Sequence, residues 1–551
     1  MDNEPPFLPP TQAHRDLVHG ALKLLKNRLP AYMVPDVVIP LPYIPLSYQP
    51  RLAAKRPPET ESEAVLQTIV AEVLKLHPSD VGMDDGFFRL GGDSIIAIRL
   101  VERAQSQGFA FRVSNVFESP KLADLARFAS RCNGNDLHVS EDSAQSLQLL
   151  MDSADPEKVA HNLVSQGFSC SEHDIVQVLP MTQAAERFLF QTPEYWIVNL
   201  QGPVNLDRLQ EACTALVVLE HVDTSFKFYG TSQSIADSVD EYRLSDLLPL
   251  PTLNMLMTEF IMVQNIGGQD VKQALVVRLS HAQFDGVSLH TLWRDLKHLY
   301  EDTSLPAATP YSHHLQQWRR SNYSFGDSPQ DSPDVFVTGT RFVNIGQSIP
   351  RNITTATIVK TAWATLLAKL TGSSDCVFAQ ISNGRNYDSS AAYNVVGACL
   401  NFIPVRANLN PTWTVLQLLE FMQQQHSASL AHELLDFGDI VQRSTPWPTG
   451  TAHQSVVLHQ NIEPDQVFQF GDAEAWVTCS YEWPHPPDEI LVESLPTGNA
   501  SLRVTLDTRS STLSRRNVNL VLEKLCRLIV LLPALADNAD ASVETLLAAL
   551  D

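Results

Sequence analysis

The sequence predicts a multidomain chain whose largest part is a two-lobed mixed α/β region, and three observations carry that expectation. The chain has 551 residues, ample for several domains with buried cores. A polar tract over 132–174, with NGND, SEDSAQS and DSADPEK, reads as a linker between folded units. From Ile175 onward, strand-like runs alternate with helical ones. ALVVRLSH, DCVFAQIS, ACLNFIPVRA and QSVVLHQN have strand character, whereas VSLHTLWRDLKHLY, TATIVKTAWATLLAKL, TVLQLLEFMQQQHSASLAHELL and RRNVNLVLEKLCRLIVLL have helical spacing. No internal repeat is evident.

Composition excludes several function classes. A net charge of -23 argues against nucleic acid or an anionic membrane as partner. Cys132, Cys170, Cys213, Cys376, Cys399, Cys479 and Cys526 form no CxxC pair or zinc-ligand spacing, so they read as reduced thiols of a cytoplasmic protein without a metal site. MDNEPPFLPPTQ lacks the basic and apolar regions of a secretory signal. The late apolar run LCRLIVLLPALA is broken by Arg527 and Pro533 and is too short to span a bilayer, which predicts a core helix.

Taken in chain order, Asp16 to Leu25 have helical spacing and lead into LPAYMVPDVVIPLPYIPLSYQPRLAAK. A helix follows in ESEAVLQTIVAEVLKL, and then the stretch FFRLGGDSIIAIRL. Gly91, Gly92 and Asp93 precede Ser94, while Ile95, Ile96, Ile98, Leu100 and Val101 begin a helix at once. This puts a hydroxyl at a helix mouth, where partial positive charge and unpaired N–H groups suit a phosphodiester. A bare GDS also reads as an ordinary helix cap after a glycine turn.

The wider context resembles the peptidyl carrier (thiolation) domains of fungal nonribosomal peptide synthetases. The match runs from DDGFFRLGGDS to FRVSNVFESPKLADLARFA, placing a four-helix carrier bundle over 61–131. The resemblance implies 4'-phosphopantetheine on Ser94, with Gly92 and Asp93 forming its setting, and a phosphopantetheinyl transferase as partner. Residues 1–58 look like the end of the small α+β lobe of an adenylation domain. Arg51 stands where that family places a catalytic lysine and Pro50 where it places a glycine. Arginine is wider and planar, so the exchange is not conservative, and no amino-acid activation is expected. Met1 just before this tail suggests a detached terminal part of a larger synthetase, working with upstream modules.

The strand ALVVRLS runs into Ser280-His281-Ala282-Gln283-Phe284-Asp285-Gly286-Val287-Ser288. A histidine at a strand end beside a glycine-bearing turn suits proton transfer near neutral pH, although alone it also reads as a structural histidine. The segment resembles the HHxxxDG motif of condensation domains, which have a two-lobed chloramphenicol-acetyltransferase-like fold, here over 175–551. Ser280 replaces the first histidine, and SHxxxDxxS is similar to terminal condensation-like domains that release a carrier-bound peptide as a macrocycle. The resemblance implies His281, Asp285, Gly286 and Ser288 as site residues. His281 would orient or deprotonate an amine or hydroxyl of the peptidyl substrate, and N–H groups near Gly286 would stabilise the oxyanion. Asp285 needs a buried cationic partner, with Arg406 the first candidate and Arg385 the second. VLPMTQAAERFL, ISNGRN, VVGACLNFIPVR and FGDIVQRSTPWPTGTAHQSVVLHQNI extend the resemblance, the last toward siderophore and cyclic-peptide synthetases. His459 and Trp447 read chiefly as core and packing residues, and Asn401 reads equally as a substrate-orienting residue or a strand-end cap. Only about a hundred residues separate Leu179 from His281, so a shortened first lobe with an open sheet edge or incomplete tunnel is expected. The alternatives are a non-catalytic carrier and docking module on a condensation scaffold, and ordinary chain elongation.

Overall fold

The computed structural model describes most residues between 55 and 550, leaving out 129–155, 166–180, 232–257, 318–334 and several shorter stretches. The adenylation-like tail with Arg51, the residue Asp93 and most of the linker therefore lie outside the described residues. Residues 58–551 form one compact unit.

The helical part begins with α1 (Glu61–Val73), capped by the Thr60 side chain accepting from the Glu63 N–H. Then come α2 (Ser94–Ser106) and α3 (Leu122–Ala126), with Asn115 and Val116 also helical. On α2 the spacing Ala97, Leu100, Val101, Ala104 buries one stripe against Leu66, Ile69 and Val70 of α1. Leu430, from the far side of the chain, is buried in this same cluster. Within the polar tract lies a helix, α4 (Pro156–Ser165).

The first lobe is built on β1 (Glu194–Gln201), α5 (Leu206–Val218), β2 (Ser225–Thr231), β3 (Glu259–Asn265), β4 (Gln273–Leu279), α6 (Gly286–Tyr300) and α7 (Tyr311–Gln317). The second contains β5 (Phe336–Asn344), α8 (Thr355–Thr371), β6 (Asp375–Ser382), β7 (Asn401–Asn408), α9 (Val415–Ser429), α10 (Phe437–Ser444) and β8 (Ser455–His459). After these come β9 (Val467–Phe470), β10 (Ala473–Ser480), β11 (Ile490–Gly498), β12 (Ser501–Arg509), α11 (Arg515–Ala536) and α12 (Val543–Ala548).

Two six-stranded sheets result, ordered β2-β3-β4-β1-β10-β9 and β5-β12-β11-β8-β6-β7. β9 and β10 return from the later half of the chain to complete this six-stranded sheet, β10 pairing with β1, so that among the described residues β2 and β9 stand at its open edges. β2 adds in parallel to β3 at the other end. Val198, Leu200, Leu275 and Val277 pack against α5 and α6, while Tyr195, Ile197, Ala274 and Val276 are buried on the opposite face. Burial on both faces explains why Ala274 to Val277 of β4 are apolar in succession and do not alternate with polar residues.

In the second lobe α8, α9, α11 and α12 cover one sheet face. The late apolar run is indeed a core helix: α11 continues through Pro533 and buries Val518, Leu522, Leu525, Ile529 and Leu532. The other face contributes Ala379, Phe402, Val456 and Leu491 to a small cluster that includes Ala184 of the first lobe, with Ala282 packed against it. The lobes therefore meet beside the loop that carries His281.

Candidate functional site

At the helix mouth near Ser94, both glycines have local reasons. Gly91 sits at φ 101° as the left-handed end of the turn Phe88–Leu90. A Cβ on Gly92 would stand 2.4 Å from a ring carbon of the fully buried Phe87. The glycines thus serve packing as well as access. Ser94 is the first residue of α2, where the opening N–H groups have no intrahelical acceptor. That position fits a phosphodiester.

The second constellation begins where β4 ends. Ser280 is buried and its hydroxyl accepts from the Ala282 N–H at 3.3 Å, so it does not stand in for a second imidazole in the cleft. His281 follows with its ring stacked parallel on Phe284 at 4.8 Å, and Phe284 meets Trp196 edge-on. Its Nδ1 lies 3.1 Å from the Phe284 carbonyl oxygen, and Nε2 lies 3.0 Å from Glu194 Oε1. The Trp196 indole N–H donates to Glu194 Oε2 at 3.2 Å. Burial of the imidazole works against its charged form. The Glu194 charge and hydrogen bond, the Phe284 carbonyl and the Asp285 charge outweigh that, so the pKa is raised. His281 and Glu194 together can hold one proton, with the carboxylate positioned to share it.

Glu194 is the principal residue that sequence reasoning missed. It opens β1, directly across the antiparallel ladder from Leu279, two residues before His281. An acidic residue at a strand start has no pattern that marks it.

Asp285 caps α6 through a reciprocal box with Ser288: its Oδ1 accepts the Ser288 N–H at 2.9 Å while Ser288 Oγ accepts the Asp285 N–H at 3.3 Å. Oδ2 accepts the Cys399 N–H at 3.0 Å and pairs with Arg385. Arg385 is fully buried and also donates to the carbonyls of Asn383, Ala392 and Val395 and to Ser288 Oγ. Ser288 Oγ in addition donates to the Gly397 carbonyl at 3.0 Å. Asp285 and Ser288 thus spend their polar atoms on tying α6 to the second-lobe loop. Burial opposes ionisation of Asp285, but Arg385 and Ser288 hold its pKa below the ordinary value.

Arg406 is not the partner: it is exposed near the end of β7 and pairs with Asp375 at 2.7 Å. Arg385 is instead delivered by the loop after β6, whose Gly384 has φ 63° and lies so close to Cys399 that a Cβ would meet its carbonyl oxygen at 1.9 Å. Behind the pair, Tyr311 donates to the Ala398 carbonyl and stacks with His314, whose pKa burial and Arg385 push down to about 3. Gly286 is the first residue of α6, and the N–H groups of Gly286 and Val287 belong to the turn without intrahelical acceptors.

Of the remaining candidates, His459 bonds Ser494 at 2.8 Å beside the helix-covered core. Asn401 donates to the carbonyls of Glu433 and Leu435, a cap on the loop after α9. Trp447 is half-buried in a turn. Of the opening motif, Met181, Thr182, Ala184 and Ala185 are described, with Ala184 at the lobe contact.

Comparison with known proteins now becomes informative. Residues 64–129 match the phosphopantetheine attachment site family, and residues 349–476 match the condensation domain family. The chain carries the carrier and condensation domains of nonribosomal peptide synthetases. Its 4'-phosphopantetheine belongs on a carrier serine, and the condensation fold is an acyltransferase-type fold. Malformin synthetase mlfA of Aspergillus sclerotiicarbonarius is 30% identical over 96% of this chain and 12% of its own length. Nonribosomal peptide synthetase fmqA of Aspergillus fumigatus is 30% identical over 90% of this chain and 14% of its own. The chain thus spans a small part of these synthetases. A solved structure described as holo T3CT has a TM-score of 0.58 at 26% identity, covering 69% of this chain and 97% of that one. Another, described as a CT mutant, has a TM-score of 0.59 at 25% identity, covering 71% and 97%. Among the described residues no helix is long and apolar enough to cross a membrane.

Proposed function

We propose that this chain transfers a peptidyl group from the carrier at Ser94 to an amine or hydroxyl of the same peptide, releasing a macrocycle. The observation that carries this reading is the seating of His281 at the contact between the lobes, fixed by Glu194 and the Phe284 carbonyl. The relatives named above are synthetases, one of them a nonribosomal peptide synthetase by name, which supports the chemistry class.

When attached, phosphopantetheine supplies an activated acyl group on a flexible arm, held at the N-terminus of α2 by Ser94. The His281–Glu194 pair takes the proton that the nucleophile loses: Nδ1 stays on the Phe284 carbonyl while Nε2 turns from Glu194 to the nucleophile, and the nearby carboxylate stabilises the charged ring. The Gly286 and Val287 N–H groups, at the positive end of α6, face the developing oxyanion. Arg385 and Asp285 hold that helix end to the second lobe and do not touch the reacting atoms. Enclosing both ends of one peptide between the lobes supplies much of the rate by proximity. The domain limits 1–58, 61–131, 132–174 and 175–551, a cytoplasmic location and a substrate delivered by upstream modules belong to this proposal.

The test is to load a synthetic peptidyl-pantetheine onto Ser94 and analyse the released product by mass. A cyclic product, one water lighter than the linear acid and lost in His281→Ala, is expected. Slow hydrolysis unchanged by His281→Ala would replace this reading with a non-catalytic scaffold.

A further inference from the structure

His281 is held on one side by a carboxylate and on the other by a ring, and Trp196 touches both. Glu194 and Trp196 stand two apart on β1, so their side chains share the face that packs toward the start of α6. The Trp196 indole N–H donates to Glu194 Oε2 at 3.2 Å, while its ring meets Phe284 edge-on with centroids 6.3 Å apart. Phe284 in turn lies parallel to the His281 ring and offers its carbonyl oxygen to Nδ1. Trp196 therefore bears on both supports of the imidazole.

The tautomer gives the indole its importance. A carbonyl oxygen only accepts, so the proton of the neutral imidazole sits on Nδ1 and Nε2 carries the lone pair. Nε2 and Glu194 Oε1, 3.0 Å apart, are then both acceptors and need one shared proton to hold together. When that proton is gone, or when Nε2 has turned to the nucleophile, Glu194 loses the His281 donor and keeps the Trp196 indole. The Glu194 side chain is 10% exposed, so losing a donor costs it more than it would a surface carboxylate. Asp285 and Glu493 also face the pair. Asp285 is an anion bound to Arg385, and burial together with the charge of Glu194 favours the neutral form of Glu493. Neither is hydrogen-bonded to Glu194 among the described residues.

We propose that Trp196 is a positioning residue for the His281–Glu194 pair, its indole N–H holding the Glu194 carboxylate charged and in place while the imidazole leaves it to serve the nucleophile. The proposal rests on the transfer reading above for the reaction but not for the protonation of the pair. No proton passes to or from the indole. Without the indole N–H, the deprotonated pair loses the donor that remained to Glu194, whereas the protonated pair keeps the one between its two members. The pair then holds its proton to higher pH, and the imidazole acts as a base only above that higher limit.

The test uses the full chain and its Trp196→Phe and Trp196→Leu variants, with and without Glu194→Gln, all checked for folding by melting. Phenylalanine keeps a ring against Phe284 and loses the donor. Titration of His281 is followed by NMR on isotope-labelled histidine, its signal being the one absent from His281→Ala. In Trp196→Phe this titration should move to higher pH, and in the Glu194→Gln background the same exchange should leave it unmoved. Release of a synthetic peptidyl group from Ser94 should slow by about tenfold, the loss of one hydrogen bond to a charged group, with the acid limb of its rate moving up alongside the titration. An unmoved titration in Trp196→Phe, or an equal shift in the Glu194→Gln background, overturns the proposal. A shift in Trp196→Leu but not in Trp196→Phe assigns the effect to packing and overturns it as well. A titration that behaves as expected while no peptide cyclises keeps the positioning role and removes the macrocyclisation reading instead.

Discussion

Asp285→Ala should destabilise the condensation region far more than His281→Ala, and the structure sets the scale. The substitution removes the acceptor of three interactions: the Ser288 N–H, the Cys399 N–H and the Arg385 guanidinium. It also leaves Arg385, fully buried, without its counter-charge. Breaking a buried pair from one side costs about 3–5 kcal/mol. At about 2 °C per kcal/mol, suited to a large domain, melting should fall by roughly 6–10 °C. His281 is 21% exposed in its side chain, and its removal leaves Glu194 the Trp196 donor, so about 1 kcal/mol or less is expected. Asp285→Asn keeps a good cap but not the charge and should fall between them. The assay is intrinsic tryptophan fluorescence on heating, because all eight tryptophans lie beyond residue 175 and the carrier helices contribute none. The pH dependence has a definite sign. The folded pKa of Asp285 is depressed, so its contribution is present above the ordinary carboxylate pKa and is lost as pH falls through the folded value. Equal melting temperatures for Asp285→Ala and His281→Ala would refute the assignment of Asp285 to architecture.

Further outcomes are expected. A phosphopantetheinyl transferase with coenzyme A should modify the chain once, as read by intact mass, and modification persisting in Ser94→Ala would show that another residue carries the arm. The purified chain should not support amino-acid-dependent exchange of pyrophosphate into ATP, since Arg51 stands at the lysine position; measurable exchange would show the adenylation reading to be mistaken. Lys360 is buried, bonds Gln380 at 2.7 Å and has its pKa lowered by burial to about 7. The unfolded chain then holds a proton that the folded chain lacks between about pH 7 and pH 10.4, so this residue adds up to about 1.4 kcal/mol of stability per pH unit of rise through that window. Lys360→Met should flatten that slope in denaturant melts, and an unchanged slope would show the amine to be solvated.

The parts legible in the sequence are those governed by short separations along the chain. The stripe at Ala97, Leu100, Val101 and Ala104, the Asp285–Ser288 capping box and the apolar β4 all follow from helix or strand periodicity within a few residues. They were enough to locate the Ser94 helix mouth and the His281 turn. The pairings across the fold are different in kind. Arg406 lies within a strand-like run and Arg385 just after one; β7 leaves Arg406 exposed beside Asp375, while the turn at Gly384 carries Arg385 inward to Asp285. Glu194 became a partner of His281 through the β1–β4 ladder, and β9 and β10 join the first-lobe sheet only because the later chain crosses back to pair β10 with β1. Local periodicity reports which face a residue occupies within its own element, whereas the charge or ring opposite that face depends on which distant element the topology brings there.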